Sequence, residues 1–515
     1  MIVIVHDQQV VTQLLIDNDN VSTYNGEQVT KVVSILVKQY PNQLLVWCYK
    51  SVVKNVAWDS MSSLFDLDRK MLSYLPDSNF FSESIGYVED SIFIKVNKKN
   101  SYPTWQMSSY VGGASTSFLS QIDACFWNSK SFDYALNSIA KYYQPEGLFS
   151  YSEPKLLLNL EEPVSSEFSK ANLKTLFKFI KEHYKTIWIF LLFLNLFINE
   201  RKIAIGSLLG VLFIKKKTSA TKIVFHDFDV STIDLNSTTI DVIIPTIGRE
   251  KYLYDVLKDL SVQTHLPKNV IIIEQNPLQG SQSKLDFIFN EKWPFEIKHE
   301  FIHQSGACNA RNRALSHVLS DWIFFADDDI RFENQLIAST IQKAHELKSK
   351  AVNLSCLQAN EKRTMDSIIQ WMSFGSGCSI VKSEVVNGLS FEMAYEFGFG
   401  EDTDFGMQMR NKGCDIIYVP NPTILHLKAP IGGFRTKPVL DWHNEPLAPK
   451  PSPTILLFFF LHKTKQQLFG YRTTLFFKFY KFQSVKNPFL YFKLFKKQWN
   501  VSVKWATILK NRHEL

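Results

Sequence analysis

Trp322-Ile-Phe-Phe-Ala326 runs directly into Asp327-Asp328-Asp329. Five apolar residues bounded by polar ones read as a strand buried on both faces, and the acids as the turn that follows it. Upstream, Ile240-Asp-Val-Ile-Ile244 is a second short apolar strand ending at Pro245, and Tyr252–Leu260 has helical spacing. Val270-Ile-Ile-Ile273, with Pro267 just before it, is a third strand, and Asn309–Leu319 is helical again. Strands alternating with helices predict a mostly parallel sheet covered on both faces. Ligands of such sheets bind beyond the carboxyl ends of the strands. The chemistry is therefore expected just after Ile244, Ile273 and Ala326.

Three adjacent carboxylates repel one another unless they are solvated or neutralised by a cation. Oxygen ligands on a turn suit Mg²⁺ or Mn²⁺, which also bind phosphate oxygens; the plainer reading is a polar turn. Just upstream lies Gln304-Ser-Gly-Ala-Cys-Asn-Ala-Arg-Asn312, whose small residues permit close backbone approach. Arg311, near the start of a helix, can meet a phosphate or ribose. Downstream, Phe397-Gly-Phe-Gly-Glu401-Asp402-Thr-Asp404-Phe-Gly opens another helix. Acids favour first turns for electrostatic reasons alone, but a carboxylate there can also take a proton from an acceptor hydroxyl. His426 ends the strand-like Thr423-Ile-Leu425 and reads either as a structural histidine or as a further ligand for a divalent ion.

Taken together, residues from about 238 to 445 resemble a family 2 glycosyltransferase with the GT-A fold. The resemblance rests on Val242-Ile-Ile-Pro-Thr246, Val270-Ile-Ile-Ile-Glu274, Gly306–Asn312, Asp327–Asp329, and Glu401-Asp402 followed by Asp404-Phe405, in that order and spacing. It implies an inverting transferase that uses a nucleotide-diphospho-sugar donor and Mn²⁺ or Mg²⁺. On that basis Asp329, Asp327 and His426 are the expected metal ligands. Pro245, Thr246, Arg249, Glu274, Arg311, Asp327 and Asp328 are expected around the nucleotide sugar. Asp402 is the expected base, with Glu401 and Asp404 close enough to tune it. Trp371 and Gly375-Ser376-Gly377 are candidates for the acceptor sugar, or else a core tryptophan and a simple turn. One departure stands out: where the family usually has an Asp against the base, Glu274 is followed here by Gln275 and Asn276. Two rival readings are a nucleotidyltransferase of the same fold and a non-catalytic membrane-associated scaffold. The absence of a Lys- and Gly-rich loop after the first strand disfavours the former, and the intact acidic motifs disfavour the latter.

The 515 residues, 45% of them apolar, exclude a mainly disordered chain and leave room for several domains. An α/β domain is expected over 1–160. Ser131-Phe-Asp-Tyr through Pro154 echoes Asp402-Thr-Asp-Phe through Pro420, and Val111-Gly-Gly113 echoes Gly375-Ser-Gly377. That half is either a degenerate GT-A-like copy or an unrelated α/β domain. A helical linker or hairpin is expected over 161–222. Its apolar runs 187–198 and 203–214 are too short to span a bilayer, so they are either interfacial or buried between domains. A basic, Phe-rich helical tail is expected over 450–515. From Pro451 onward it carries a net charge of +11 and eleven Phe, against −4 for the rest of the chain. So many rings need burial, which points to an anionic membrane surface or, failing that, to packing onto the body of the protein, and not to nucleic acid. Met1-Ile-Val-Ile-Val-His-Asp7 reads as a first strand and not as a secretory signal. Six scattered cysteines with no CxxC pair suit a reducing compartment. The expectation is a cytoplasmic enzyme peripherally associated with the inner face of a membrane, acting on a glycan or lipid-linked acceptor.

Overall fold

The computed structural model describes residues 1–159, 170–225, 234–430 and 438–513. Parts of the expected segments lie outside the described residues: 160–169 at the opening of the linker, 431–437 within 238–445, and Glu514 and Leu515 of the tail. The chain forms two compact units, one of residues 1–228 with 463–483, the other of 229–462 with 484–515.

In the second unit the order across the sheet is Glu296–Ile302, Asn269–Gln275, Ile240–Thr246, Trp322–Ala326, Cys378–Lys382, Ala351–Leu357, Ile417–His426 and Ile330–Arg331. The first four strands are parallel, as the alternation of strand and helix requires. Cys378–Lys382 is inserted antiparallel between Trp322–Ala326 and Ala351–Leu357. The sheet is therefore mixed where a mostly parallel one is expected. Val242, Ile244, Phe324 and Ile380 are buried along the strands. On one face, Phe325, Phe374, Phe391 and Phe405 pack into a single core under the helices Ala307–Ser316 and Glu401–Asn411, the Phe391 and Phe405 rings stacked 4.1 Å apart. That core holds the first turns of both helices at the carboxyl edge of the sheet.

The first unit uses the same plan over six strands. Ile2–Asp7 is parallel to Leu44–Tyr49, which is antiparallel to Val111–Ser115, itself antiparallel to Lys70–Tyr74. Lys70–Tyr74 is parallel to Phe149–Ser152, which takes the short Tyr102–Pro103 antiparallel. In the second unit, Ile240–Thr246, Trp322–Ala326, Cys378–Lys382, Ala351–Leu357, Ile417–His426 and Ile369–Gln370 repeat every one of these relations in the same chain order. The topology repeats, but not in the register of the echo read from the sequence: strand Val111–Ser115 corresponds to Cys378–Lys382, and Asp133, second in its helix, to Asp402. Where the second unit extends its sheet with two parallel strands, the first closes with the antiparallel pair Val10–Ile16 and Asp19–Asn20.

The tail is not one continuous element. Helices Pro453–His462 and Pro488–Arg512 belong to the second unit and Lys465–Tyr480 to the first. Leu456, Leu457, Phe458 and Phe459 are buried, as are Leu475, Tyr491, Phe495 and Trp499. Three of its eleven Phe are therefore core, while Phe477, Phe482, Phe489 and Phe492 stay exposed. Among the described residues no helix is long and apolar enough to cross a membrane.

Candidate active site

A cavity of about 630 Å³ opens where the strands Ile240–Thr246, Asn269–Gln275 and Trp322–Ala326 end. Pro245, Thr246, Arg249, Arg311, Asp327, Asp328, Asp329, Gly375, Ser376, Gly377, Glu401, Asp402 and His426 all line it, although nearly 200 residues separate the first from the last.

The three consecutive acids do three different things. Asp328 is turned into the wall, where Thr246 Oγ1 donates to it at 2.7 Å and Arg249 Nη1 at 2.5 Å. Burial pushes its carboxyl up to about 6, against the opposing pull of Arg249. Asp329 is also buried, but it accepts from the Ala429 N–H at 2.8 Å, has His426 Nε2 at 3.3 Å and Arg249 Nη1 at 3.3 Å. Burial alone would raise its pKa; the hydrogen bonds and the cations reverse that and hold it below the usual carboxylate range, while Asp329 in turn raises His426. Asp327 is half-buried, 3.3 Å from Arg311 Nη2. One ligand atom from each of Asp327, Asp329 and His426 lies within 4.8 Å of the others, and they are the only such group of three among the described residues. Two carboxylates and an imidazole are a donor set that fits Mn²⁺ or Mg²⁺.

On the other wall, Gly400, with φ of +112°, ends the preceding loop and starts the helix Glu401–Asn411. Its first residues are thus the acids that face the cavity. Ser376 hydrogen-bonds the Asp402 carboxylate, yet burial keeps its pKa raised, with Arg311 opposing. Asp402 Oδ1 is buried with no hydrogen-bond partner among the described residues. Burial first, and then the neighbouring Asp402, push Glu401 up to about 7. The loop Gly375-Ser376-Gly377 serves these acids directly. Ser376 holds Asp402, and a Cβ at Gly377 would overlap the Asp327 carboxylate.

Three expected residues lie elsewhere. Glu274 points away from the cavity, because side chains alternate along a strand. It accepts from Ser283 Oγ at 2.5 Å and lies 2.9 Å from His299 Nε2. Its neighbour Gln275 faces the cavity instead, with Oε1 accepting from the Gly306 N–H at 2.6 Å. Asp404, one helical step from the cavity, is buried against His462 Nε2 at 2.6 Å and Gln408 Nε2 at 2.8 Å. Trp371 stacks on Tyr418, centroids 4.8 Å apart.

Glu396 is a cavity residue that the sequence reading missed. Its carboxylate accepts from the Cys308 and Asn309 N–H groups at 3.2 and 2.9 Å, capping the helix Ala307–Ser316 from a distant loop. Gly306, at φ +140°, leaves the space for it. That helix start, open to a phosphate in the sequence reading, already has an anion. Cys356, Cys378, Tyr395 and Lys428 also line the cavity, and nothing in their local sequence marks them.

The first unit keeps half of this arrangement. Ser376 stands two residues before a strand and Asp402 second in its helix; Ser109 and Asp133 hold the same two places, before Val111–Ser115 and in Phe132–Tyr143. Ser109 N and Oγ both donate to Asp133 at 2.8 Å, and burial raises its carboxyl to about 6. The acid triplet has no counterpart. Lys50 follows the strand Leu44–Tyr49 and pairs with Asp7 at 2.5 Å.

The model of the family described as glycosyl transferase family 2 matches residues 241–393. Among solved structures, the chain is similar to S. aureus TarS 1-349 in complex with UDP-GlcNAc, at 17% identity and a TM-score of 0.37, over 54% of this chain and 83% of that one. TarS 1-349 alone gives 18% identity and a TM-score of 0.31 over 37% of this chain, which spans 60% of that one. A mannosyltransferase from Pyrobaculum calidifontis, in complex with GDP-Man and Mn²⁺, gives 14% identity and a TM-score of 0.31, over 55% and 77%. At these scores the neighbours assign no ligand to this chain. No curated protein matches it. The family match falls on the residues that carry Thr246, Arg311 and the acidic triplet, and over residues 241–393 the chain is similar to the family 2 glycosyl transferases.

Proposed function

We propose that this chain transfers a sugar from a nucleotide-diphospho-sugar to a hydroxyl of a glycan or lipid-linked acceptor, with inversion at the anomeric carbon. The observation that carries it is Asp402, oriented by Ser376, in the same cavity as the Asp327, Asp329 and His426 cluster. Asp402 takes the proton of the acceptor hydroxyl. The acceptor oxygen then bonds to the anomeric carbon as the bond to the diphosphate breaks, and the electron pair leaves with the diphosphate. One displacement from the face opposite the leaving group inverts the centre. A divalent cation held by Asp327, Asp329 and His426 would offset the charge that grows on the leaving diphosphate. Arg311, buried beside Asp327, adds a fixed positive charge on that side, and Asp328 keeps Thr246 and Arg249 at the mouth of the first strand. The first unit is read as a copy of the same fold that lacks the metal acids. The enzyme is read as peripheral, on the cytoplasmic face of an anionic membrane where a surface glycan is built.

The test is a panel of nucleotide-diphospho-sugars scored by thermal shift and by donor hydrolysis, with Mn²⁺ and with chelator. One donor should stabilise the protein only with metal and be turned over. If no member of the panel shifts the melting temperature in either condition, the proposal fails.

A further inference from the structure

Most of the large exposed hydrophobic side chains of the first unit come from one stretch, residues 187–213. Helix Ile187–Glu200 is apolar almost all round, so burying one side leaves another uncovered. Ile189, Leu192 and Leu196 go inward. Outward, Phe190, Phe197, Ile198, Ile203, Leu209 and Phe213 are between 45% (Phe190) and 96% (Phe213) exposed. With Ile205, seven such side chains within 24 positions far exceed the scattered apolar residues of an ordinary surface.

The helix is also pinned. Asn195, its buried polar residue, accepts from Thr473 Oγ1 at 2.8 Å, which joins it to the helix Lys465–Tyr480. That second helix is itself fixed: Gln467 Nε2 donates to the Glu89 and Ser91 carbonyls at 3.0 and 2.8 Å, and Gly470 packs so closely on Tyr87 that a Cβ would overlap its backbone. Ser84 Oγ donates to Glu200 at 3.0 Å at the far end.

The charge carried by this stretch of chain is almost all of one sign. Residues 183–222 hold seven Lys and Arg and a single acid, Glu200, which is engaged by Lys202 at 2.8 Å and by Ser84. Lys185, Arg201, Lys215 and Lys216 are exposed beside the apolar residues.

We infer that this face, and not the tail as a whole, docks the protein on an anionic lipid bilayer; the inference names the surface for the membrane association proposed above and rests on that reading. The helix of 14 residues is about 21 Å long at ~1.5 Å per residue, short of the roughly 30 Å hydrocarbon core, so it lies in the interface. A second copy of the chain would meet the same positive rim, and like charges would oppose it. Anionic headgroups complement both features at once: cations to phosphates, rings and aliphatic chains to the acyl boundary.

The test is co-sedimentation of the full chain with vesicles of phosphatidylglycerol and phosphatidylcholine in equal parts, and with phosphatidylcholine alone. The protein should bind the mixed vesicles and bind phosphatidylcholine far less. F190S/F197S/F213S should lower binding at least tenfold with the melting temperature unchanged, since all three side chains are exposed. K185Q/K215Q/K216Q should lose about fivefold per lysine at low salt, and less at high salt. Both variants should keep the donor-dependent thermal shift. That arm separates the two ideas, because vesicle binding is read without donor and donor binding without vesicles. Three results would overturn the inference: no binding by the wild-type chain, full binding by the triple Phe variant, or release caused by F489S/F492S alone. A concentration-dependent dimer abolished by the Phe substitutions would assign the face to a second copy instead.

Discussion

Adjacent residues need not share a task, and the acid triplet shows why. A strand end exposes successive side chains to different surroundings. Asp328 meets Thr246 and Arg249, some eighty positions earlier, and becomes part of the wall, while Asp327 and Asp329 meet His426. The triplet is legible as a site from its position after a buried strand. Its division of labour is not, because the partners come from remote segments. For the same reason Glu274 is legible as a strand-end acid, but its direction depends on pleat register, and Gln275 takes the cavity. Asp329→Ala should abolish metal-dependent donor stabilisation and leave the melting temperature of the donor-free protein within a few degrees. Gly377→Ala should do much the same by displacing the Asp327 carboxylate, with transfer measured at saturating metal. Asp402→Asn keeps the shape and removes the base, so turnover should fall by about 10²–10⁴-fold while the donor-dependent thermal shift remains. The pH profile follows from the raised carboxyls. A base works deprotonated, and burial raises both Asp402 and Glu401, the latter to about 7. The acid limb of kcat/KM should therefore lie well above the ordinary Asp value of about 4. Removing the neighbouring negative charge in Glu401→Gln should move that limb to lower pH. An acid limb that stays in place would detach Glu401 from the base.

At the scale of elements, the tail is where composition misleads most. Its charge and its eleven Phe are those of a surface-seeking segment, yet composition does not say which rings face the protein. Pro453–His462 is as apolar as a membrane segment and is core, packed beside the helix that carries Asp402. Gly398 leaves room for Thr454, and the Phe399 N–H donates to Thr454 Oγ1 at 3.1 Å, so this helix also fixes the loop that leads into Glu401. At its end His462 meets Asp404 at 2.6 Å, both side chains nearly buried. His462→Ala should remove one hydrogen bond from the buried Asp404 carboxylate, which keeps Gln408, and cost about 1–3 kcal/mol, read from urea unfolding, with turnover lowered because Asp404 belongs to the first turn that presents Asp402. Had the tail been a detachable anchor, the same substitution would leave stability unchanged. The parallel strands and their helices are legible because their signal is local: apolar runs of four or five residues bounded by Pro, Glu or acidic turns. The antiparallel Cys378–Lys382 is not, since strand direction is decided by pairing with Trp322–Ala326 and Ala351–Leu357 and by the Gly375-Ser-Gly377 turn before it.

Across the whole molecule, six strands recur in the same chain order and with the same directions, while the Asp327, Asp329 and His426 group does not recur among the described residues. The topology of the repeat outlasts its sequence because a sheet core asks only for apolar residues at alternating positions, whereas a metal site asks for particular atoms. In the first unit a lysine, Lys50, follows the strand that corresponds to Trp322–Ala326, and its pairing with Asp7 puts a cation where the second unit has a carboxylate. Asp133 keeps the place and the serine contact of Asp402, but Ser109 satisfies it twice, Asn137 and His6 close around the same loop through the Met107 and Ser109 carbonyls, and the residue is only 2% exposed. A carboxylate that no acceptor can reach is a structural hydrogen-bond acceptor and not a base. Asp133→Asn should therefore leave kcat and the donor-dependent thermal shift unchanged within twofold, even where it lowers the melting temperature. Titration calorimetry with donor and Mn²⁺ should give one site per chain, lost entirely in Asp329→Ala. A second metal-dependent site surviving that substitution, or a tenfold drop in turnover from Asp133→Asn at an unchanged melting temperature, would mean that the first unit has kept a working centre.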